Sequence, residues 1–462
     1  MYDVAVVGSG PGGYFCAMRA SQLGLKVACI EEVSLLGGTC LHYGCIPSQT
    51  LLHSSELYAR FAHEAAKRGI EIEKASSHFP LMMDQKIEVV GDLSAALKAL
   101  FQKHHIDVIQ GRGRITDKHT ITVFSDAGKK QVTAKSIVLA TGSRPVPLPF
   151  LPFDEKKILS STGALSLQTL PKSMVIIGGG AVGVELASVY SRLGTKVTII
   201  EMMPSICTGM ERSLADALYE LLKGQKIRFL LNSNVIGAKD LGAKGVQLWV
   251  RLGDGIETTI TGSVVVVAIG RHPLSNDLGL LELNIDVTSK GNIMVNSQFR
   301  TSHPNIYAIG DLIDGPMLAH RATLEGIAVA EIIAGQKPRL DYTQVPNVIY
   351  TNPEAATVGL TEDMAKELGK SVLTGEYELK GNPRARCARN LDGFVKVVAD
   401  AETKRLLGLH ILASHASEMI SVGAIALAKK MTLEELASLP FPHPTYSEAI
   451  KEACLAALGG AF

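Results

Sequence analysis

The chain has 462 residues, enough for about three domains of ordinary size, and its charges nearly cancel. Forty-six Lys and Arg against forty-five Asp and Glu give a formal net charge of +1, which excludes a general attraction to nucleic acid or to an anionic membrane surface. No apolar run reaches the ~20 residues that a membrane-spanning helix needs. We therefore expect small or protein-bound partners, and neither nucleic acid nor a membrane.

The ends and the cysteines bear on the compartment. The first strand is predicted to begin almost at Met1, which leaves no room in this sequence for a secretory or transit segment. This predicts a cytoplasmic protein, unless a presequence was removed. Seven cysteines are too few, and odd in number, for a secreted disulfide framework, so any disulfide is expected to be catalytic. Five cysteines stand alone, and each is interpreted as a small core residue. They are Cys16, Cys29, Cys207, Cys387 and Cys454.

The first chain segment has the pattern of a βαβ unit. An apolar stretch from Tyr2 to Val7 precedes a glycine-rich loop, a helical stretch to Leu23, a second apolar stretch from Lys26, and Glu31. In a dinucleotide-binding loop one glycine permits the tight turn, one lets the backbone approach a pyrophosphate, and one lets helix pack on strand. The helix N-terminus adds a positive pole. The predicted glycines are Gly8, Gly10 and Gly13.

The same unit recurs without a gap after a shift of 170 residues, from Gly8 to Gly178. An apolar stretch ends at Ile177, a helical stretch runs to Leu193, and another apolar stretch starts at Lys196. The sequence therefore predicts an α/β protein with two Rossmann-like dinucleotide-binding domains. The second set of loop glycines is Gly178, Gly180 and Gly183.

An acidic residue closes the second strand of each unit, Glu31 in the first and Glu201 in the second. A carboxylate there can accept hydrogen bonds from ribose hydroxyls, although a solvated charge at a strand end is the alternative. A carboxylate ~4 Å from a 2′-phosphate would cost about 4 kcal/mol at an effective dielectric of ~20, roughly a thousandfold in affinity. Glu201 therefore favours NAD over NADP.

Two further apolar stretches, 137–144 and 266–271, end in a glycine and a basic residue with a proline close behind. They are predicted to be matching exit strands of the two nucleotide domains. Buried parallel strands of any kind would show the same pattern.

A redox pair is predicted in the segment GGTCLHYGCIPS, residues 37–48. Thiol-disulfide exchange needs two sulfurs that can bridge, one of them with a depressed pKa, and access for a partner disulfide. Cys40 and Cys45, with four residues between them at a predicted helix start, satisfy this spacing. The alternative, two core cysteines, is disfavoured by the glycines and proline around them.

A base is predicted near the C-terminus, where Pro442 and Pro444 restrict the backbone on both sides of His443. A neutral histidine can take the proton of an incoming thiol, and a carboxylate on its other nitrogen would fix the tautomer. Glu448 is the candidate carboxylate. The alternative is an ordinary loop histidine.

Together with GGGAVGVELASVYSRLGTKVTIIE, NIYAIGDLIDGPMLAH and HPTYSE, these motifs resemble the flavin-dependent disulfide reductases with two dinucleotide sites, the dihydrolipoamide dehydrogenases most closely. The resemblance runs along essentially the whole chain. It implies a homodimer and four parts. They are an FAD-binding part at 1–145, an NAD-binding domain at 146–272, a return to the FAD domain at 273–343, passing through Ile306 to Asp311, and an α+β dimerisation domain at 344–462.

The resemblance also implies roles. Cys40 would exchange with substrate and Cys45 would face the flavin, while His443 and Glu448 would serve the other subunit's cysteines across the dimer interface. The implied FAD contacts are Gly8, Gly10, Gly13, Glu31, Gln49, Gly113, Thr141, Gly142, Ser143, Asp311, Met317, Leu318, Ala319 and His320. The implied NAD contacts are Gly178, Gly180, Gly183, Glu185, Glu201, Val235 and Gly270, and no metal site is implied.

In the implied reaction, electrons pass from protein-bound dihydrolipoamide to the cysteine pair, then to FAD, and finally to NAD. The implied partner carries the lipoyl arm. It is the acyltransferase of a 2-oxo acid dehydrogenase complex or the carrier protein of glycine cleavage.

The chain departs from the family pattern at Gln49, where relatives have a lysine that pairs with a glutamate matching Glu185. We expect a shifted flavin potential, unless Gln49 keeps one hydrogen bond and little changes. His42, Tyr43 and Phe441 also differ and could narrow the substrate channel.

Two other functions remain open. One is a glutathione- or mercuric-reductase-like enzyme, which Glu201 and the lack of a C-terminal cysteine pair disfavour. The other is a non-enzymatic structural flavoprotein subunit, which the complete redox and base set disfavours.

Overall fold

The computed structural model describes residues 1–460, which form two compact units, each assembled from separated stretches of chain. The first unit consists of Met1–Thr50, Pro80–Val146 and Gly270–Leu340. The second consists of Leu51–Phe79, Pro147–Ile269 and the described chain from Asp341 onward. No helix within residues 1–460 is long and apolar enough to cross a membrane. The predicted division into four parts stays a prediction.

The strands are numbered in chain order. They are β1 (Tyr2–Val7), β2 (Val27–Glu31), β3 (Asp107–Gln110), β4 (Arg112–Asp117), β5 (Thr120–Ser125), β6 (Gly128–Leu139), β7 (Ser143–Pro145), β8 (Ile158–Leu159), β9 (Ser173–Ile177), β10 (Lys196–Ile200), β11 (Arg228–Leu230), β12 (Asn234–Asp240), β13 (Val246–Arg251), β14 (Glu257–Gly262), β15 (Val264–Val267), β16 (Arg271–Pro273), β17 (Ile306–Ala308), β18 (Asn347–Ile349), β19 (Glu354–Gly359), β20 (Val372–Glu378), β21 (Phe394–Asp400) and β22 (Leu406–Ala413).

The helices follow the same numbering. They are α1 (Pro11–Gln22), α2 (Gly38–Tyr43), α3 (Cys45–His63), α4 (Phe79–Lys103), α5 (Ser161–Ala164), α6 (Ala181–Arg192), α7 (Arg212–Gly224), α8 (Ala319–Ile333), α9 (Glu362–Glu367), α10 (Pro383–Ala388), α11 (Ala416–Lys429), α12 (Leu433–Ser438) and α13 (Glu448–Ala457). Short 3-10 turns include Gly310–Leu312, directly after β17.

The first unit is built on a sheet whose parallel strands lie in the order β3-β2-β1-β6-β17. The last four residues of β1 and the last three of β6 are fully buried, as expected for strands covered on both faces. Strand β6 is long enough that its first half also pairs antiparallel with β5, which pairs with β4. Strand β17 brings the chain back to this sheet after residue 270, as the resemblance implies.

The second unit repeats this plan. Its parallel sheet has the order β11-β10-β9-β15-β8, and an antiparallel meander, β12-β13-β14, lies between β11 and β15 in the chain. Both predicted βαβ units are confirmed, as β1-α1-β2 and β9-α6-β10. The predicted exit strands are confirmed too, because β6 lies next to β1 and β15 lies next to β9.

The C-terminal part of the second unit is an antiparallel sheet with the order β18-β19-β22-β21-β20. Helix α11 packs on β19 and β22, and α13 packs on β20 and β21, so that a separate apolar core forms between them. The predicted fold class, two Rossmann-like domains and a C-terminal α+β part, is confirmed.

Candidate active site

The first glycine-rich loop lies between β1 and α1. Gly8 has φ of +101°, and a Cβ atom added to it would lie 2.4 Å from the carbonyl oxygen of Ala140. A Cβ on Gly13 would lie 2.0 Å from the Gly8 carbonyl oxygen, whereas one on Gly10 would meet nothing within 4 Å. Helix α1 begins at Pro11, and no side chain caps its first turn. The loop therefore leaves amide hydrogens and open space for a phosphate group.

The second loop, between β9 and α6, has the same geometry. Gly178 has φ of +110°, and its added Cβ would lie 2.4 Å from the Ala268 carbonyl oxygen. A Cβ on Gly183 would lie 2.0 Å from the Gly178 carbonyl oxygen, and one on Gly180 would meet nothing within 4 Å. No side chain of the described residues caps the N-terminus of α6. Both loops thus fit a pyrophosphate in the same way.

The two acidic residues are oriented by their loops. Glu31 Oε2 accepts hydrogen bonds from the Ser9 amide at 2.8 Å and from the Ser9 hydroxyl at 2.6 Å. Glu201 Oε2 accepts one from the Gly179 amide at 2.5 Å. The other oxygen of each carboxylate accepts the amide two residues further on, at 3.0 and 2.8 Å. Since a carboxylate has about four acceptor positions, each retains capacity for a ribose hydroxyl.

The two predicted redox cysteines lie in neighbouring helices of the first unit. Cys40 belongs to α2 and is half-buried, and Cys45 is the first residue of α3 and is exposed. They are not bridged. The Cys40 thiol donates a hydrogen bond to the Cys45 sulfur, which, together with burial, raises the pKa of Cys40. The same hydrogen bond lowers the pKa of Cys45, outweighing the opposing effect of burial, so Cys45 is the thiolate of the pair.

A charged group that the sequence analysis missed lies near these thiols. Arg271 Nε donates to the Ser143 hydroxyl at 2.8 Å, and its terminal nitrogen donates to the Ser143 carbonyl at 2.7 Å. The Ser143 hydroxyl in turn donates to Asp311. After the Cys40 hydrogen bond, the Arg271 charge also lowers the pKa of Cys45, and the Asp311 charge opposes it. The basic residue closing the second exit stretch was the available signal.

The predicted flavin contacts of the first exit stretch are firmly held. The Thr141 hydroxyl donates to the Leu274 carbonyl at 2.8 Å, and the Leu274 amide donates to the Gly142 carbonyl at 2.8 Å. Ser143 is fixed by Arg271, as described above. These three residues therefore form a rigid edge of the first unit.

The other predicted flavin contacts lie on different elements and differ in burial. Gly113 is buried in β4, where an added Cβ would lie 3.0 Å from a Val7 methyl group. Gln49 is half-buried in α3. Met317, Leu318 and Ala319 are half-buried, and His320 is exposed, at the start of α8.

The remaining predicted NAD contacts differ in accessibility. Glu185 is half-buried in α6, and its Oε1 atom accepts the Tyr350 amide at 3.0 Å. Val235 is 5% exposed and packs in the apolar core of the second unit, so only its backbone can meet a ligand. Gly270 is exposed and has φ of +135°. It belongs to the first unit, where its carbonyl accepts a hydrogen bond from the Val146 amide.

The predicted base lies in the second unit. His443 Nδ1 is 2.8 Å from Glu448 Oε1, and the imidazole side chain is 68% exposed. The Thr445 amide donates to Glu448 Oε2 at 2.7 Å. Partial burial raises the pKa of Glu448, but the bonds from Thr445 and His443 outweigh it and hold this pKa below its usual value. The carboxylate thus orients the ring with Nε2 free to accept a proton.

The other five cysteines divide into two kinds. Four are buried, as predicted: Cys16, Cys29, Cys207 and Cys454. The prediction is wrong for Cys387, which is exposed. It lies in the six-residue helix α10, where Ala385 occupies the inward position.

Comparisons with known proteins cover nearly the whole chain. A family model described as pyridine nucleotide-disulphide oxidoreductase matches residues 2–326, and a model of the dimerisation domain of such proteins matches residues 345–454. Dihydrolipoyl dehydrogenase 1, mitochondrial, of Arabidopsis thaliana is 42% identical over 98% of this chain and 90% of its own length. Leghemoglobin reductase of Glycine max is 42% identical over 98% of this chain and 87% of its own.

Among solved structures, the chain resembles the HOCl-induced flavoprotein disulfide reductase RclA from Escherichia coli. The TM-score is 0.87 at 27% sequence identity, and the match covers 98% of this chain and 99% of the other. The likeness therefore extends over both compact units.

Proposed function

Since the chain belongs to the pyridine nucleotide-disulphide oxidoreductase family, we propose that it acts within that family as a dihydrolipoyl dehydrogenase. It is an FAD- and NAD-dependent disulfide oxidoreductase, and its dimerisation domain supports a homodimer. The observation that carries the proposal is the thiol pair Cys40 and Cys45, with opposite pKa shifts, in a chain 42% identical to a protein named dihydrolipoyl dehydrogenase.

The cofactor loops fit two dinucleotides. In each, two glycines are required because a Cβ would overlap backbone, and a third leaves open space beside an uncapped helix N-terminus. We assign FAD to the first loop and NAD to the second. When bound, the flavin accepts an electron pair from the thiols and delivers it to NAD.

The residues of the chain perform the thiol chemistry. His443 Nε2 takes a proton from the incoming dithiol, and the resulting thiolate attacks the Cys40 sulfur. In the oxidised enzyme, Cys40 and Cys45 would be joined in a disulfide. This bond breaks under the attack, and Cys45 leaves as a thiolate, which its lowered pKa favours. The second substrate thiol then displaces Cys40 and closes the cyclic disulfide of the product, while its proton passes to the departing Cys40 sulfur. Two electrons and two protons have left the substrate.

Glu448 supports the base. Its carboxylate accepts a hydrogen bond from His443 Nδ1, and so it stabilises the imidazolium that forms when Nε2 takes a proton. In the proposed dimer, this pair acts on the other subunit's cysteines. Its 68% exposed imidazole is accessible for that role.

We further propose that the substrate is a lipoyl arm carried by a protein. The carriers are the acyltransferase of a 2-oxo acid dehydrogenase complex or the carrier protein of glycine cleavage, and the compartment is the cytoplasm. An exposed Cys45 beside a half-buried Cys40 suits a long flexible substrate better than a large rigid one.

The test is an anaerobic titration of the yellow protein with dihydrolipoamide, followed by addition of NAD. We expect a long-wavelength absorbance from the Cys45 thiolate beside the flavin, and then NADH. Because the pKa of Cys45 is lowered, this absorbance should persist to a lower pH than an ordinary thiol would allow, and it should disappear only as the pH falls through that lowered pKa. Reduction by NADPH but not by dihydrolipoamide would assign another reductase, and no reduction by either would assign a structural subunit.

Cysteine variants sharpen this test. Cys40→Ser should keep the absorbance of the Cys45 thiolate but abolish exchange with dihydrolipoamide, whereas Cys45→Ser should lose both. Cys387→Ser is the matched control, since this cysteine is also exposed but lies in α10. Equal behaviour of Cys40→Ser and Cys45→Ser in the absorbance would contradict the assigned roles.

The base is tested by His443→Gln, which should lower kcat by about 10²–10⁴-fold, the usual contribution of general acid-base catalysis. Glu448→Gln should lower it less, because the imidazole remains and loses only its carboxylate partner. His105→Gln replaces another exposed imidazole and serves as the control. An unchanged kcat in His443→Gln would remove this residue from the mechanism.

A further inference from the structure

Two charged side chains of helix α8, Arg321 and Glu325, are buried in the first unit, with 4% and 0% of their surface exposed. They lie one helical turn apart, and Arg321 Nε is 2.8 Å from Glu325 Oε1. Burial of two charges costs solvation energy, which their attraction offsets only when further hydrogen bonds complete the pair. The other partners of the pair therefore indicate its purpose.

Those further partners include three backbone groups of the segment 310–316, which follows β17. Glu325 Oε2 accepts a hydrogen bond from the Gly310 amide at 2.7 Å. The terminal nitrogens of Arg321 donate to the Pro316 carbonyl at 3.0 Å and to the Asp314 carbonyl at 2.5 Å. The carboxylate thus holds the beginning of the segment, and the guanidinium holds its end.

The segment is also shaped around the guanidinium. Gly315 has φ of +124°, and an added Cβ would lie 2.3 Å from a terminal nitrogen of Arg321. Gly310 has φ of +67°. Two left-handed glycines in seven residues make the free segment flexible, so the contacts with Arg321 and Glu325 must select its conformation.

The segment carries a predicted flavin contact. Asp311 lies within it and accepts a hydrogen bond from Ser143, and the predicted contacts 317–320 follow directly. Helix α8 is itself fixed on α1, because an added Cβ on Gly326 would lie only 2.2 Å from the Gly12 carbonyl oxygen. One helix therefore connects the segment to the first nucleotide loop.

We propose that Arg321 and Glu325 are positioning residues for the flavin: they hold the segment 310–316 on α8 so that Asp311 meets the cofactor at a fixed place. The pair touches neither thiol nor substrate in this role. The proposal rests on the assignment of FAD to the first unit.

The test measures flavin binding rather than turnover, so that it is independent of the substrate assignment. Flavin-depleted protein is titrated with FAD, and the visible spectrum of the bound flavin and the thermal unfolding of the flavin-free protein are recorded. The variants are Arg321→Met, Arg321→Lys and Glu325→Gln. The control is Glu331→Gln, which breaks another ion pair of the same helix, Glu331 with Arg19 at 2.6 Å, that joins α8 to α1 instead of to the segment.

We expect Arg321→Met and Glu325→Gln to raise the Kd for FAD at least tenfold and to shift the flavin spectrum. The first change removes the bonds to the Asp314 and Pro316 carbonyls, and the second removes the negative charge that opposes the buried guanidinium. Arg321→Lys should restore part of the affinity, since an ammonium can keep the ion pair but cannot reach both carbonyls in the same geometry. Glu331→Gln should stay within about twofold of the parent. Loss of thermal stability with an unchanged Kd and spectrum would reduce the pair to a structural role and overturn the proposal.

If Arg321→Met does not fold, Gly315→Ala replaces it, because this change displaces the guanidinium while both charged residues remain. It should weaken FAD binding in the same direction. Normal FAD binding by Gly315→Ala would overturn the proposal as well. A parent protein that binds FAD normally but ignores dihydrolipoamide would count against the proposed substrate only.

Discussion

The two glycine-rich loops have the same backbone conformation but differ at their second position, which is Ser9 in the first loop and Gly179 in the second. Gly8 and Gly178 have φ of +101° and +110°, and an added Cβ would clash with the exit strand at 2.4 Å in both. The Ser9 hydroxyl donates a hydrogen bond to Glu31 and accepts one from the Gly37 amide at 3.1 Å. Gly179 has no side chain to do this.

The two loops also differ in what lies over them. In the first, α2 with Cys40 packs closely, since a Cβ on Gly38 would lie 2.6 Å from the Gly10 Cα atom. In the second, Gly180 and the neighbouring Val182 are exposed. We therefore expect a nucleotide on the first loop to be retained beside the helix that carries Cys40, and one on the more exposed second loop to exchange. The same phosphate-binding frame serves both purposes.

The largest expected effect comes from Gly8→Ala and Gly178→Ala. Each places a Cβ 2.4 Å from a backbone oxygen at a left-handed φ. Gly8→Ala should yield protein without flavin, measured by the ratio of visible to ultraviolet absorbance. Gly178→Ala should keep its flavin and its reduction by dihydrolipoamide, while NADH formation falls at least ~100-fold, equivalent to about 2.7 kcal/mol.

The controls for these changes are Gly24→Ala and Gly194→Ala, which have φ of +82° and +98° but open space around the added Cβ. They report backbone strain alone. Loss of flavin in Gly178→Ala as well would break the distinction between the two loops.

Next in size is the exchange of the acidic residues. Glu201→Ala should lower kcat/KM for NAD and reduce the preference for NAD over NADP by about 10- to 100-fold, because a nearby carboxylate no longer repels a 2′-phosphate. Glu31→Ala should leave this preference unchanged and lower flavin retention instead. The measurement is kcat/KM with each nucleotide, and an equal preference change in both variants would contradict the assignment of the loops.

A smaller effect is expected from Ser9→Ala. It removes the 2.6 Å bond to Glu31 and the contact with the Gly37 amide, which should weaken FAD binding about tenfold, in the range for a hydrogen bond to a charged group. Gly179→Ala, its counterpart, should leave FAD binding unchanged. Fluorescence of released flavin measures both, and similar release from both would show that the second loop position is not decisive.

The smallest effect is expected from Gln49→Lys, a position of the first unit. A positive charge near the flavin should raise its potential by a few tens of millivolts, since about 30 mV corresponds to a tenfold change for a two-electron couple. Redox titration measures the shift, with Gln49→Met as the neutral control. An unchanged potential and spectrum would refute the expectation.

The repeated βαβ units were predictable because glycine loops and fully apolar strands are local signals. The strand limits Tyr2–Val7 and Lys196–Ile200 agree with the sequence patterns. The structure also places His443 and Glu448 in contact, five residues apart, since a short spacing leaves little freedom to separate them.

Arg271 could not be predicted in the same way. Its proximity to Ser143 and Asp311 depends on β16 pairing with β7, two three-residue strands more than a hundred residues apart in the chain. The exposure of Cys387 was missed for a related reason, because which face of a short helix turns inward depends on tertiary packing.

The late position of β17 in the chain has a consequence for synthesis on the ribosome. This strand completes the first sheet beside β6, but its residues, Ile306–Ala308, emerge long after the β8 to β15 sheet of the second unit can close. Until then, the growing polypeptide exposes an apolar strand edge of the kind that promotes aggregation. The nascent chain can therefore close the parallel sheet of the second unit first, and the proposed flavin site can form only when about two thirds of the protein has been translated.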